Sequence, residues 1–205
     1  MSEQGNALTR LSHQPASDGR VRRSQRSGHA IVAALMELVG EGVLEPTAQQ
    51  VAARAKVGIR TVFRRFSDME SLFAEMDARL QAEALPLLLG GRRKGTLAQR
   101  ARALVEQRVV LFERIAPFKR SGNLKRWRSP FLRDRHALLV RGLRADLLRW
   151  LPEMRRAPAA IIDALDLITS FEAWDRLRSE QFLNSTRAQA AVEQMVLTLV
   201  TQLRS

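Results

Sequence analysis

The 205-residue chain has no cysteine, which removes disulfides, thiolate metal sites and cysteine nucleophiles from consideration. Histidine is scarce: His13, His29 and His136 are the full set, and none stands at metal-ligand spacing. There is no phosphate-binding loop and no nucleophile motif, and acidic pairs such as Asp163 and Asp166 suit a solvated helix face better than general acid-base work. No catalysis, metal or cofactor is expected. No apolar run approaches the ~18 residues of a membrane span, so no membrane partner is expected either. The first stretch, MSEQGNALTRLSHQPASDGR, lacks the apolar region of an export signal and reads as a disordered tail over residues 1–20. A cytoplasmic location follows as an expectation.

Lysine is the other scarcity. Lys56, Lys94, Lys119 and Lys125 are the only lysines among 34 basic residues, so the basic character is carried by arginine. The formal charge of +13 favours a polyanionic partner, nucleic acid first, although an arginine- and alanine-rich skew can equally reflect the base composition of a genome. The distribution matters more than the total. Residues 1–80 hold 11 basic and 9 acidic side chains, a net of +2, whereas residues 81–205 carry a net of +11, most of it between Lys119 and Arg156. The total charge is therefore weak support for an N-terminal DNA-binding unit.

No segment alternates with the period of a strand, and helical periodicity runs throughout, so the fold class is all-α. In the first helix Ile31, Leu35, Leu38 and Val39 follow the i, i+4, i+7, i+8 spacing, with Gly40 and Gly42 at its end. Thr47 caps a second short helix, Gln50 completes a capping box, and Val51, Ala52 and Ala55 form its packing face. Lys56-Val57-Gly58 then makes a turn, and Gly58 caps a third helix reaching about Arg65. Two short helices around a three-residue turn have helix-turn-helix spacing. Asp68 caps a fourth helix with Met69, Leu72, Phe73, Met76 and Leu80 on its apolar face, expected to end before Pro86. GGRRKG, 90–95, reads as a linker. Beyond it helices are expected near 96–115, 130–150, 158–180 and 185–204, with Pro117 and Pro152 as breaks.

At about 100° per residue, Ile59, Val62, Phe63 and Phe66 gather on one side of the third helix, and Arg60, Thr61, Arg64 and Arg65 on the other. A solvated face on a core helix is the plain reading of such a pattern. A recognition helix needs the same arrangement, because arginine reaches guanine O6 and N7 or a phosphate while an apolar inner face holds the helix on its bundle.

The stretch TAQQVAARAKVGIRTVFRRFSDMESLF, 47–73, resembles the DNA-binding region of the tetracycline-repressor (TetR) family of bacterial regulators. The resemblance covers roughly Ser24 to Leu80 and implies an N-terminal helix-turn-helix domain, 21–67, followed by a larger helical domain, 68–205, for effector binding and dimerisation. It implies that Thr47 touches a phosphate, that Ile59, Arg60, Thr61 and Arg64 meet the major groove, and that Phe66 anchors the helix; Gly58, where a capping serine is common, is counted with the DNA-binding residues. Phe63 stands where the family usually has a phosphate-bonding tyrosine, so family position and periodicity disagree about whether it faces DNA or core. Arg65 replaces a usual histidine and Met69 a usual lysine. Arg20, Arg22, Arg23 and Arg26, expected just before the first helix, could follow the minor groove or the backbone, with an unstructured tail charged for solubility as the alternative.

In the C-terminal half, Phe112, Phe118, Trp127, Phe131, Trp150, Phe171, Trp174 and Phe182 are candidates for an apolar effector pocket between helices, with plain core as the alternative. Arginines such as Arg126, Arg128, Arg133 or Arg141 could admit an anionic effector, with a solvated, arginine-biased surface as the plainer alternative. The resemblance implies a homodimer, and two stripes offer themselves for a four-helix interface: Ile161, Leu165 and Ile168, then Val192, Met195, Val196, Leu199 and Leu203. Packing within one subunit is the alternative. The function expected is a one-component transcriptional regulator, most simply a repressor, that binds a palindromic double-stranded DNA operator and responds to a small molecule. The competing expectation is a nonspecific, architectural DNA-binding protein using its basic C-terminal domain.

Overall fold

The structure is a computed structural model; it describes residues 16–201, and the side chains of residues 25–201. Among the described residues there is no strand, and no helix is long and apolar enough to cross a membrane.

Helix α1, Ala16–Gly40, buries Ile31, Val32, Leu35, Leu38 and Val39, the stripe expected from its periodicity. It begins earlier than expected. Residues 16–20 are helical and not part of a tail, and Arg20, Arg22, Arg23 and Arg26 lie within α1 and not before it. Residues 1–15 are outside the described residues. Helix α2, Ala48–Arg54, opens on the expected capping box: the Gln50 amide donates to Thr47 Oγ1 at 3.2 Å and the Thr47 amide to Gln50 Oε1 at 2.8 Å. The turn that follows puts Lys56 at φ 55°, a left-handed conformation usually given to glycine. Helix α3, Ile59–Arg65, follows with Gly58 as N-cap. Arg54 reaches back across the bundle and holds Glu41 through two hydrogen bonds of 2.8 Å.

Helix α4, Met69–Leu89, is capped by Asp68 and runs through Pro86 instead of stopping before it. The missing amide costs the helix one bond, and Leu87 and Leu88 beyond the proline are half-buried against the core and hold the last turn in place. The linker after it turns on Gly91 at φ 90° and Gly95 at φ 108°. Helix α5, Leu97–Lys125, passes through Pro117, which had been expected to break it. Leu111, Phe112, Ile115, Ala116 and Phe118 are buried on both sides of the proline, so packing sustains the helix where its own hydrogen bonding is weakened. Helix α6, Pro130–Trp150, has its proline at the first position, and a 3-10 turn over Pro152–Arg156 realises the expected break at Pro152.

One helix was expected over 158–180. The chain instead forms α7, Ala159–Ile168, and α8, Phe171–Asp175, with a π-helical turn over Arg176–Glu180. The interruption lies at Thr169-Ser170, where Ser170 accepts from the Ala173 amide at 3.2 Å and so restarts the helix with a new cap. Helix α9, Ser185–Thr201, packs on α5 and α7. Helices α1 to α3 form the N-terminal head and α4 leads out of it. Around α5, which touches α1, α4, α6, α8 and α9, lies the larger domain.

Candidate nucleic-acid interface and ligand cavity

Helix α3 rests on the head through Val62, which is buried, and Phe66, which is half-buried against the core. Arg60, Arg64 and Arg65 are exposed and Thr61 is half-buried. Neither Arg60 nor Arg64 has an ion-pair partner among the described residues, so both guanidinium groups are available to an outside acceptor. Arg65 lies differently: its guanidinium sits over the Gly28 backbone of α1, where a Cβ would come within 2.7 Å of Nε. Thr47 is exposed and already engaged in the α2 cap.

Two members of the expected inner face point outward. Ile59 is 43% exposed and Phe63 48% exposed, so periodicity misassigned them. A seven-residue helix meets the bundle along a stripe only about one residue wide per turn, and Val62 and Phe66 fill it. Phe63 thus stands on the same open side as Arg60 and Arg64. The sequence positions Gly58, Ile59, Arg60, Thr61, Phe63 and Arg64 come together at the head's free face, with Thr47 at the start of the neighbouring helix.

A second feature is a half-open cavity of about 300 Å³ bounded by α4, α5 and α6. Its walls include Met76 and Leu80 of α4, Leu111, Ile115 and Phe118 of α5, and Leu139 of α6, with Lys119, Arg126, Arg135 and His136 among its polar lining. Of the aromatic residues expected there only Phe118 lines it. Phe112, Trp150, Phe171 and Trp174 are buried core, Phe131 is half-buried outside the lining, and Trp127 and Phe182 are 73% and 84% exposed. Phe112 and Phe171 meet edge to face at 5.8 Å, and Trp150 donates to Gln107 at 3.0 Å. Of the arginines suggested for an anion only Arg126 lines the cavity; Arg128, Arg133 and Arg141 are exposed. Lys119 and His136 were both missed as cavity residues, and of the two Lys119 carried a sequence signal. Its signal was a rare lysine directly after the apolar run Ile115–Phe118.

Lys119 Nζ lies 2.9 Å from His136 Nδ1, and an Arg126 Nη lies 3.0 Å from His136 Nε2. Burial, then the charges of Lys119 and Arg126, hold the His136 imidazole below its ordinary pKa, with Glu172 opposing them. Burial likewise lowers the Lys119 ammonium.

The cavity and the head are joined by the last turns of α5. Ser121 donates to the Leu44 carbonyl at 2.6 Å, and Lys125 lies 3.6 Å from Glu45 and 5.1 Å above the Phe73 ring. Ser129, just beyond, bonds Glu70 at the start of α4. Phe118, Lys119, Gly122 and Asn123 of the same turns line the cavity.

The expected dimer stripes are divided. Leu165, Val192 and Val196 are buried in the subunit's own core, so they cannot meet a partner in this conformation. Ile161, Ile168 and Leu199 are half-buried against that core, Met195 is 40% exposed, and Leu203 lies outside the described residues. The alternation reflects α9 turning one side to α5, which left its periodic stripe with a partner inside the chain.

A small helical head with an exposed cationic second helix of a helix-turn-helix, set on a larger helical domain with a half-open cavity, defines a class of all-helical helix-turn-helix proteins. Residues 30–76, the segment that holds the last part of α1, all of α2 and α3 and the start of α4, match the model for bacterial regulatory proteins of the tetR family. Among solved structures, a transcriptional regulator from Rhodococcus sp. Rha1 shares 20% identity over 87% of this chain and 96% of its own, with a TM-score of 0.65. A Mesorhizobium loti protein described as a TetR-family transcriptional regulator shares 16% identity over 88% of this chain and 96% of its own, with a TM-score of 0.52. At these identities the likeness concerns the fold. No curated protein matches the sequence significantly.

Proposed function

We propose that this protein is a cytoplasmic, homodimeric transcriptional regulator, most simply a repressor, whose two α3 helices enter successive major grooves of a palindromic operator and whose DNA affinity is set by a small molecule in the α4–α5–α6 cavity. The observation that carries the DNA reading is the pair of exposed, ion-pair-free guanidinium groups of Arg60 and Arg64, one helical turn apart on a helix anchored by Val62 and Phe66. Thr47 and Arg65 flank them and are suited to phosphates. Regulation is supported by the double duty of the last turns of α5, which line the cavity and hold the head. A ligand that binds one position of those turns better than another shifts the population of head spacings, and hence operator affinity, by no more than that difference in affinity.

The architectural alternative loses support from the ion pairs of the basic region. Arg120 pairs with Asp175, Lys125 with Glu45, Arg135 with Asp77, Arg144 with Asp163 and Asp166, and Arg149 with Asp146. Five of the twelve basic residues between Lys119 and Arg156 are thus engaged in ion pairs within the chain. The deciding experiment is fluorescence anisotropy with DNA from the gene's own upstream region against scrambled DNA at two salt concentrations. The regulator requires a preference of about a hundredfold or more, and Arg60→Ala should weaken cognate binding by about 1–3 kcal/mol while relaxing specificity. Equal, salt-sensitive binding to both DNAs would establish the architectural protein instead.

A further inference from the structure

We infer that the cavity between α4, α5 and α6 takes an amphipathic monoanion, a carboxylate or equivalent head on an apolar body, with the head held by Lys119 and Arg126 beside His136. The inference rests on the reading of this cavity as an effector site and adds the chemical class of the effector.

The charges around the cavity specify the sign. Asp77 and Arg135 form an ion pair and cancel. Glu172 lies 3.9 Å from His136 Nδ1, so it offsets one of the two cations that converge on the imidazole. With His136 neutral, Lys119 and Arg126 against Glu172 leave one positive charge. Neither Lys119 nor Arg126 is paired with a carboxylate among the described residues. Instead both crowd the same neutral ring, which has a single acceptor nitrogen and so satisfies at most one of the two cations and balances the charge of neither. Lys119 is half-buried and its ammonium also lies 5.6 Å over the Phe171 ring, so water does little to screen it. An anion entering here gains charge-assisted hydrogen bonds and relieves the repulsion. The remainder of the wall, from Met76, Leu80, Leu111, Ile115 and Phe118, is apolar and suits a hydrocarbon body. At about 300 Å³ the cavity is at the small end of ligand sites, which favours a small molecule over a large conjugate.

The test compares octanoate, 1-octanol and octylammonium on the full chain by isothermal titration calorimetry. Octanoate should bind at least about tenfold more tightly than 1-octanol, the difference expected of one charge-assisted bond, and octylammonium should be weakest. The pair Lys119→Met and Arg126→Met should bring octanoate to the level of the alcohol while leaving alcohol binding in place. Gly142→Phe should abolish binding of both, because Gly142 lines the cavity and its Cβ direction is open. By NMR, saturating octanoate should raise the His136 pKa, a change that a merely structural cluster would not show. Equal binding of octanoate and octanol, or preference for octylammonium, overturns the anion assignment while leaving the cavity as an effector site. No binding of any of the three to folded protein overturns both.

Discussion

Asp146 is fully buried and faces three guanidinium groups, those of Arg93 at 3.2 Å, Arg108 at 3.2 Å and Arg149 at 3.3 Å. Arg108 is itself almost completely buried, and burial brings its pKa down to about 10 against the pull of Asp146, so it stays charged at neutral pH. Removing the carboxylate strands that charge. Asp146→Ala should cost about 3–5 kcal/mol in urea denaturation, and adding Arg108→Met should restore a substantial part; a loss below about 1 kcal/mol would show the pair to be dispensable. The exposed residues follow the opposite rule. Phe63 is half exposed and free to face a phosphate, but it lacks the hydroxyl that would bond one, so its contribution there is restricted to apolar contact.

At the scale of elements, α3 is short and its cap is weak. Gly58 has φ −70° and ψ 146° and no side-chain cap bond, and a Cβ added there would meet nothing within 4 Å. The position needs neither the conformational freedom nor the small size of glycine. Gly58→Ser should therefore stabilise the head by a few tenths of a kcal/mol, read as a small rise in melting temperature. Unchanged or lower stability would mean that the serine cannot reach the free amides at the start of α3. The α2 cap, the α2–α3 turn and the start of α4 were legible in the sequence because each is made by residues within four positions of one another. Pro86 and Pro117 were misread for the complementary reason. A proline weakens a helix locally, but whether the helix ends there depends on the burial of the residues around it.

For the whole molecule, the proposed dimer has to use what the subunit leaves uncovered. On α7 and α9, which pack together, Leu167 and Met195 remain 66% and 40% exposed, whereas the stripe through Val192 and Val196 is taken by the subunit's core. The pair Leu167→Glu and Met195→Glu should convert a dimer to a monomer in sedimentation equilibrium and weaken operator binding at least tenfold, with little loss of subunit stability because both side chains are already solvated. A dimer that survives both changes would place the interface elsewhere.

The sequence by itself determined the helical class, the helix-turn-helix spacing, the caps and the cationic face of Arg60 and Arg64, since these depend on periodicity and on hydrogen bonds between near neighbours. Only the tertiary structure decided that Ile59 and Phe63 face outward, that Phe112, Trp150, Phe171 and Trp174 are core, and that Lys119, Arg126 and His136 meet at one cavity. An apolar residue is drawn to any sufficient apolar neighbour, and which neighbour it finds is set by how the helices cross. Lys119 and His136 are 17 positions apart in sequence, and it is the packing of α5 against α6 that brings their side chains together.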